Sequence, residues 1–224
     1  MKRILFGVIL GATASLAVLA AQNPGPAAAR PDPNGVRMVG DRFKPLTYAE
    51  MTAPQKKMFE NLISGERRGA SGPFNVLLRS PEMGDLAQQF GASMRYHSSI
   101  PPKLNELAII ITARHWTSQY EWYAHRRAAQ NAGLSQSIID AVAAGTRPAS
   151  MAADEQAVYD FVSELLATKQ VSDATFKAAK DKFGERGVVD LIGVSGYYQL
   201  VSMLLNVDRY PLPEGTKPEL KPLR

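Results

Sequence analysis

The stretch that decides the fold is ELAIIITARHWTSQYEWYAH, residues 106–125. From Leu104 to Ala113 nearly every residue is apolar, and a helix that is apolar on all sides is a buried helix. Glu106 shares a face of that helix with isoleucine and alanine side chains. Because a buried carboxylate needs a partner in the protein interior, the stretch predicts a core helix that carries one member of an internal ion pair.

The second half of the stretch supplies candidate partners. The chain breaks near Trp116 and Thr117 and becomes helical again, and steps of three and four residues then connect Ser118, Glu121, Trp122 and His125. One face of this motif helix therefore holds a hydroxyl, a carboxylate and an imidazole. A Glu and a His four residues apart are often only a surface pair worth about 0.2–0.5 kcal/mol, and the spacing alone leaves that alternative open.

Composition limits the class of protein. The chain has 224 residues, of which 45% are hydrophobic and 21% charged, as in an ordinary globular protein of one domain. The formal charge of +5 falls to +3 without Lys2 and Arg3, which lie in a segment expected to be removed. The basic residues are also dispersed, so nucleic acid is not an expected partner. Cysteine is absent, which excludes thiol nucleophiles, disulfides, zinc–thiolate sites and iron–sulfur clusters.

The two ends of the chain differ from its middle. Residues 1–21 have a basic start, a short apolar stretch and small residues at the end, the layout of a secretory signal peptide. An uncleaved membrane anchor is the alternative, although the apolar stretch is shorter than the ~20 residues that span a bilayer. Residues 22–42 form a Pro/Gly/Ala-rich linker, and residues 210–224 form a Pro-rich extended tail that wraps a neighbour or stays loose. We expect a secreted or periplasmic protein without stable membrane insertion after cleavage, and one domain at residues 43–209.

Residues 43–209 carry helix start and stop signals throughout. They contain no run of alternating apolar and polar residues that indicates a strand, so the predicted fold is all-α. A helix is expected from Ser80 to Tyr96, with an inward apolar stripe made of Met83, Leu86, Phe90 and Met94. Gly184 is expected to end a short helix before a final apolar helix at about residues 188–206.

Several separated motifs resemble one family. ELAIIITAR at 106–114 and YEWYAH at 120–125, together with GPFNVLLRSPE at 72–82 and GLS at 133–135, are similar to the carboxymuconolactone decarboxylase and alkylhydroperoxidase D superfamily, over roughly Pro45 to Asn206. The resemblance implies a compact multi-helix domain built around a buried helix followed by the motif helix. It also implies a homotrimer or hexamer, no metal or organic cofactor, and acid–base chemistry on a small lactone or oxo-acid.

The residues at two motif positions separate the branches of this superfamily. In the alkylhydroperoxidase D branch the positions that match Ser118 and Glu121 are both cysteines, which form a redox pair. A serine and a glutamate cannot form the disulfide that closes a peroxidase cycle. The sequence is more similar to the cysteine-less decarboxylase branch, which implies a lyase-type enzyme.

Each motif residue has an expected role. Decarboxylation beside a carbonyl leaves an enolate that needs a hydrogen-bond donor and an acid, and His125 is the candidate for both. Glu121 is expected to hydrogen-bond the imidazole, and Glu106 to act as the second proton carrier. The remaining candidates bind the small-molecule substrate: Ser118, Arg114 and Tyr197 would orient it, and Trp122 and Phe74 would form apolar walls.

Other functions remain open at this stage. His97 and His115 are further metal-ligand types, but they have no motif spacing to the carboxylates, so no metal site is expected. The signal peptide favours a non-catalytic exported binding or assembly protein on the same scaffold as the alternative. It also argues against the cytosolic aromatic-acid lactone as the substrate.

Overall fold

The computed structural model describes residues 31–222, and the predicted signal peptide lies outside them. Those residues form an all-α domain without strands, as predicted. Two short 3-10 turns, Pro33–Gly35 and Tyr48–Glu50, precede eight helices. The helices are α1 Ala53–Ser64, α2 Phe74–Leu77, α3 Pro81–Tyr96, α4 Pro102–His115, α5 Gln119–Asn131, α6 Gln136–Ala144, α7 Ala153–Thr168 and α8 Asp173–Asp208.

Helix α4 is the centre of the domain. It starts with a proline, which suits a first helical turn because proline lacks only an N–H that would have no partner there. Eleven of its fourteen residues are buried, Glu106 among them, and it packs against α5, α7 and α8. The apolar stretch at its middle therefore forms the core, as the sequence predicts.

A tight corner joins α4 to α5. Thr117 has φ of 48°, a left-handed conformation that is uncommon for a residue with a Cβ. The amide of Ser118 donates to the carbonyl of Ala113 at 2.9 Å, and the amide of Thr117 donates to the carbonyl of Arg114 at 3.0 Å. These bonds use carbonyls that the end of α4 leaves without helical partners. The corner turns α5 back along α4, which places the two halves of the motif side by side.

The predicted inward face of α3 was wrong for three of its four residues, whereas Met94 packs against the core as predicted. Met83, Leu86 and Phe90 are 45%, 70% and 44% exposed, and the inward face is instead made of Gly84, Ala87, Gln88 and Gly91. A Cβ at Gly91 would overlap the ring of Tyr197, so only a glycine lets α3 approach α8 this closely. Close backbone packing decides the orientation of α3, and burial of its largest apolar side chains does not.

Helix α8 contains the predicted break. Gly184 has φ of 68° and ψ of 178°, a conformation open essentially to glycine alone, and helical segments run on either side of it. Among residues 31–222, α8 alone has the length and apolar composition of a membrane span. Half of its most apolar window is buried within the domain, as in the core helix of a globular protein.

The extended C-terminal tail packs along α5 of the same chain. The side-chain amide of Gln119 donates to the carbonyl of Leu220 at 2.7 Å, and its oxygen accepts from the amides of Glu219 and Leu220, each at 3.1 Å. Leu220 is buried in the main core. The tail thus covers the part of α5 that begins the motif helix.

Candidate active site

The centre of the candidate site is a buried carboxylate–imidazole–carboxylate cluster. Oε2 of Glu106 on α4 lies 2.7 Å from Nδ1 of His125 on α5, and Oε1 of Glu121 lies 3.1 Å from Nε2 of the same ring. All three residues are buried. We call Glu106, Glu121 and His125 the Glu–His–Glu cluster. The structure therefore brings together the three residues for which the sequence predicts a catalytic role, and the role itself stays a prediction.

The two carboxylates hold the imidazole in different ways. Glu106 accepts a hydrogen bond from Nδ1 of His125, and Glu121, for which the sequence predicts a bond to the imidazole, contacts Nε2 of the same ring. Oε1 of Glu121 has no hydrogen-bond partner, because it lies off the axis of the Nε2–H bond and contacts the ring as an ion pair. The Nε2–H group therefore faces Glu121 as an ion pair, whereas Nδ1–H makes the aligned hydrogen bond to Glu106.

Two opposing effects set the charge of His125. Burial lowers its pKa, and the negative charges of Glu121 and Glu106 raise it, with a net rise from 6.5 to about 9. The imidazole is therefore protonated at neutral pH and can act as a proton donor. Solvent reaches the cluster mainly at Glu106, whose side chain is 12% exposed, compared with 6% for His125.

A tyrosine of α8 completes the surroundings of the imidazole. The ring of Tyr198 lies 4.9 Å from that of His125 in an edge-to-face arrangement, and its hydroxyl is buried without a hydrogen-bond partner. Burial raises the pKa of Tyr198 well above its usual value, so the phenol stays neutral and can donate a proton in a hydrogen bond. Tyr197, which the sequence favoured, packs behind it with a ring distance of 5.2 Å.

Two arginines that the sequence did not indicate interact electrostatically with Tyr198, and Arg95 also does so with the two carboxylates of the cluster. Cζ of Arg67 lies 5.4 Å from the ring centre of Phe74 and 5.9 Å from that of Tyr96, and Cζ of Arg95 lies 5.5 Å from the Tyr96 ring. Nε and Nη2 of Arg67 are buried without hydrogen-bond partners. Burial lowers the pKa of Arg95, whereas Tyr198, Tyr96 and the two carboxylates of the cluster raise it, with a net rise. We call Arg67 and Arg95 the arginine pair.

No sequence pattern indicated the arginine pair. Arg67 belongs to a loop with no helical period, and Arg95 lies at the end of α3 on the side opposite to the predicted apolar stripe. Phe74, predicted as an apolar wall, is buried and contacts Arg67 instead of the imidazole. Its position beside the arginine pair keeps it at the edge of the candidate site.

Other predicted substrate-binding residues lie elsewhere. Ser118 lines a separate cavity of about 210 Å³ with Gln119 and Asn206. Trp122 is fully buried, and its Nε1 donates to Oε2 of Glu219 at 3.0 Å, so it anchors the tail. Arg114 lines another cavity, at the C-terminal end of α4.

The described residues offer no metal centre. No group of three or more histidine or acidic side chains within residues 31–222 is arranged to hold a metal ion. In the Glu–His–Glu cluster both imidazole nitrogens already face carboxylates, so the ring has no free lone pair directed at a metal.

The fold and the site together define the class of protein: it is an all-α domain in which two consecutive helices bury a carboxylate–imidazole–carboxylate cluster. Residues 81–164 match the model of the carboxymuconolactone decarboxylase family. The match agrees with the resemblance that the motifs predict. The match runs from α3 to α7 and contains the whole Glu–His–Glu cluster, whereas Tyr198 and Arg67 lie outside it. No curated protein matches the chain.

Proposed function

We propose that the protein is a cofactor-free acid–base enzyme of lyase type that acts on a small lactone or oxo-acid. The observation that carries this proposal is the buried Glu–His–Glu cluster, in which a histidine with a pKa of about 9 is held in its protonated form. A group that is charged, buried and turned towards a neutral phenol suits proton delivery to a carbanion or enolate.

In the proposed reaction the bond between the substrate's carboxylate and its α carbon breaks. The electron pair of that bond passes to the adjacent carbonyl as an enolate, and carbon dioxide leaves. The Tyr198 hydroxyl donates a hydrogen bond to the enolate oxygen. His125 then transfers its Nε2 proton to carbon and regains a proton from water. Glu106 holds the ring by its Nδ1–H throughout and is the cluster residue closest to solvent.

The arginine pair supports an acidic substrate. The free N–H groups of Arg67 form a planar fork that matches a carboxylate, and Phe74 and Tyr96 hold that fork in place. A carboxylate bound there would be attracted from solution by two positive charges and oriented by one of them. A neutral substrate would gain neither interaction.

We further propose that the protein works after export as a homo-oligomer, a trimer or a hexamer. The apolar side chains exposed on α3 continue onto α8, where Val189 and Ile192 are also exposed. A Cβ placed on Gly193 would lie 3.6 Å from Phe90, so the two helices form one surface. Leu86→Glu should reduce the mass measured by light scattering after gel filtration, and Glu82→Gln on the same helix should not. An unchanged mass for Leu86→Glu would exclude this surface as the interface.

The test of the activity compares the parent protein with His125→Gln on a panel of lactones, β-oxo acids and hydroperoxides. Loss of substrate absorbance or release of carbon dioxide by the parent alone, with both proteins folded by circular dichroism, is the expected result. His97→Gln, which changes an exposed histidine, is the matched control and should keep full activity. Equal behaviour of parent and His125→Gln on every substrate would favour a non-catalytic exported binding or assembly protein. Reductant-coupled peroxide turnover would also contradict the proposal.

A further inference from the structure

The end of α4 borders a cavity that is separate from the Glu–His–Glu cluster. The cavity has a volume of about 170 Å³ and lies between the ends of α4 and α6 and the middle of α7. Its polar lining consists of Arg114, His115, Thr146, Tyr159 and Ser163. His115 and Thr146 are exposed, so small molecules can enter from solvent. We call this space the Arg114 cavity.

Arg114 is the unusual feature of the cavity. The residue is only 5% exposed, and Nε and Nη1 of its guanidinium are buried without any hydrogen-bond partner. An arginine stays charged at all physiological pH values, and a buried charge is costly unless it is paired. No carboxylate is among the residues that line the cavity. The fold thus places a cation where the described part of the chain provides no anion.

The charges around the cavity reinforce this imbalance. Burial lowers the pKa of Arg114, and burial together with the positive charge of Lys169 lowers the pKa of His115. Asp160, the acidic residue that follows Tyr159 on α7, is already occupied, since its Oδ2 accepts from Nη2 of Arg147 at 3.1 Å. The hydroxyls of Tyr159 and Ser163 add neutral donors beside the guanidinium. The positive charge of Lys169 and the neutral donors both favour an incoming negative charge.

We propose that the Arg114 cavity binds a small oxyanion, a phosphate or a short carboxylate, through the guanidinium fork of Arg114. A water molecule takes about 30 Å³ of liquid volume, so the cavity is large enough for an ion of a few heavy atoms. Planar forks pair with carboxylate and phosphate oxygens in two parallel hydrogen bonds. This site does not depend on the function proposed for the Glu–His–Glu cluster.

The test measures heats of binding for sodium phosphate and sodium acetate, with sodium chloride used to keep the ionic strength constant. The parent should bind at least one of the two oxyanions at one site, and the one that binds identifies the chemistry of the ligand. Arg114→Met keeps the apolar stem and removes the fork, so it should weaken binding about tenfold or more. Ser163→Val, which narrows the cavity and removes a donor, should also weaken binding.

Two controls separate this site from the candidate active site. Oxyanion binding at the Arg114 cavity should persist in His125→Gln and in Arg67→Met, which removes only the fork proposed for the substrate carboxylate. Without added anion, Arg114→Met should melt at or above the temperature of the parent, because it removes an unpaired buried charge, and it should lose the rise in melting temperature that the anion causes in the parent. Binding of neither anion by the parent would overturn the proposal. So would unchanged binding by Arg114→Met together with loss of binding in Arg67→Met.

Discussion

The sharpest prediction concerns the stability of the protein as a function of pH. His125 is buried between two carboxylates and has a pKa of about 9, whereas the same side chain in the unfolded chain has the ordinary value of 6.5. The folded protein therefore binds one proton more than the unfolded chain in the interval between these two values. Replacing His125 by Gln removes that proton-binding group and keeps a polar side chain of similar size.

The sign and the magnitude follow from proton linkage. Because folding raises the pKa, the stabilisation is complete below about pH 6.5 and is lost as the pH rises through about 9. One pKa unit corresponds to about 1.4 kcal/mol, so the difference between the two pKa values is worth about 3 kcal/mol of unfolding free energy. Across this interval the free energy of unfolding should fall by about 1.4 kcal/mol per pH unit from this group alone.

Urea unfolding of the parent and of His125→Gln between about pH 6 and 10 measures this slope. The parent should lose about 3 kcal/mol relative to the variant between the two ends of that range, whereas His97→Gln should follow the parent. Nuclear magnetic resonance gives the pKa directly, since the chain has only three histidines and the variant spectrum assigns the missing signal. Parallel curves for parent and His125→Gln, or a His125 midpoint near 6.5, would refute the buried ion pairs.

Four further substitutions probe the cluster, the C-terminal tail and the packing of α3 against α8. Glu106→Gln removes the charged acceptor 2.7 Å from the imidazole. It should lower the pKa of His125 and reduce the free energy of unfolding in urea by about 1.5–3 kcal/mol. An unchanged pKa would contradict the assignment of that hydrogen bond. Leu220→Ala truncates a buried tail residue. It should lower the free energy of unfolding by about 2–5 kcal/mol and shift the fluorescence of Trp122. No change in either quantity would show that the tail is loose. Gly91→Ala would drive a Cβ into the Tyr197 ring and should lower the melting temperature, whereas Gly196→Ala, with nothing within 4 Å, should add up to about 1 kcal/mol. Equal effects of the two alanines would contradict the close approach of α3 to α8.

The sequence predicted the parts of the site that lie on one continuous stretch. The apolar run around Glu106 indicated a buried helix, and the three- and four-residue steps to His125 indicated one face of the next helix, because both signals depend only on local periodicity. The sequence predicted a bond from the imidazole to Glu121 but did not indicate the hydrogen bond from Nδ1 to Glu106, because that bond depends on the corner at Thr117. The sequence also did not distinguish Tyr198 from Tyr197. Both lie on a helix some seventy residues later, and its place beside the motif helix likewise depends on the fold and not on local periodicity.

The error on α3 has a different origin. Large apolar residues at helical spacing normally turn inward, and Leu86 and Phe90 follow that spacing. The opposite face, however, carries glycines where the fold needs the least volume, against Tyr197 and Met58. Steric fit between two helices outweighs the burial of a few large side chains, and the apolar face left outside is the one for which we propose a second copy of the chain.

The energetics of the Glu–His–Glu cluster argue that it serves chemistry. Burying ionised groups costs several kcal/mol for each ion before their mutual attraction is counted, and apolar residues of similar volume are often as stable or more so. The rest of α4 and α5 shows that this core can be built from apolar side chains, since Leu107, Ile109 and Ala129 are fully buried. The cluster also leaves Oε1 of Glu121 and the hydroxyl of Tyr198 without hydrogen bonds, which a purely structural ion pair would be expected to satisfy. An arrangement that gives up stability and keeps free polar atoms around a protonated imidazole is the one expected of a site that receives a substrate.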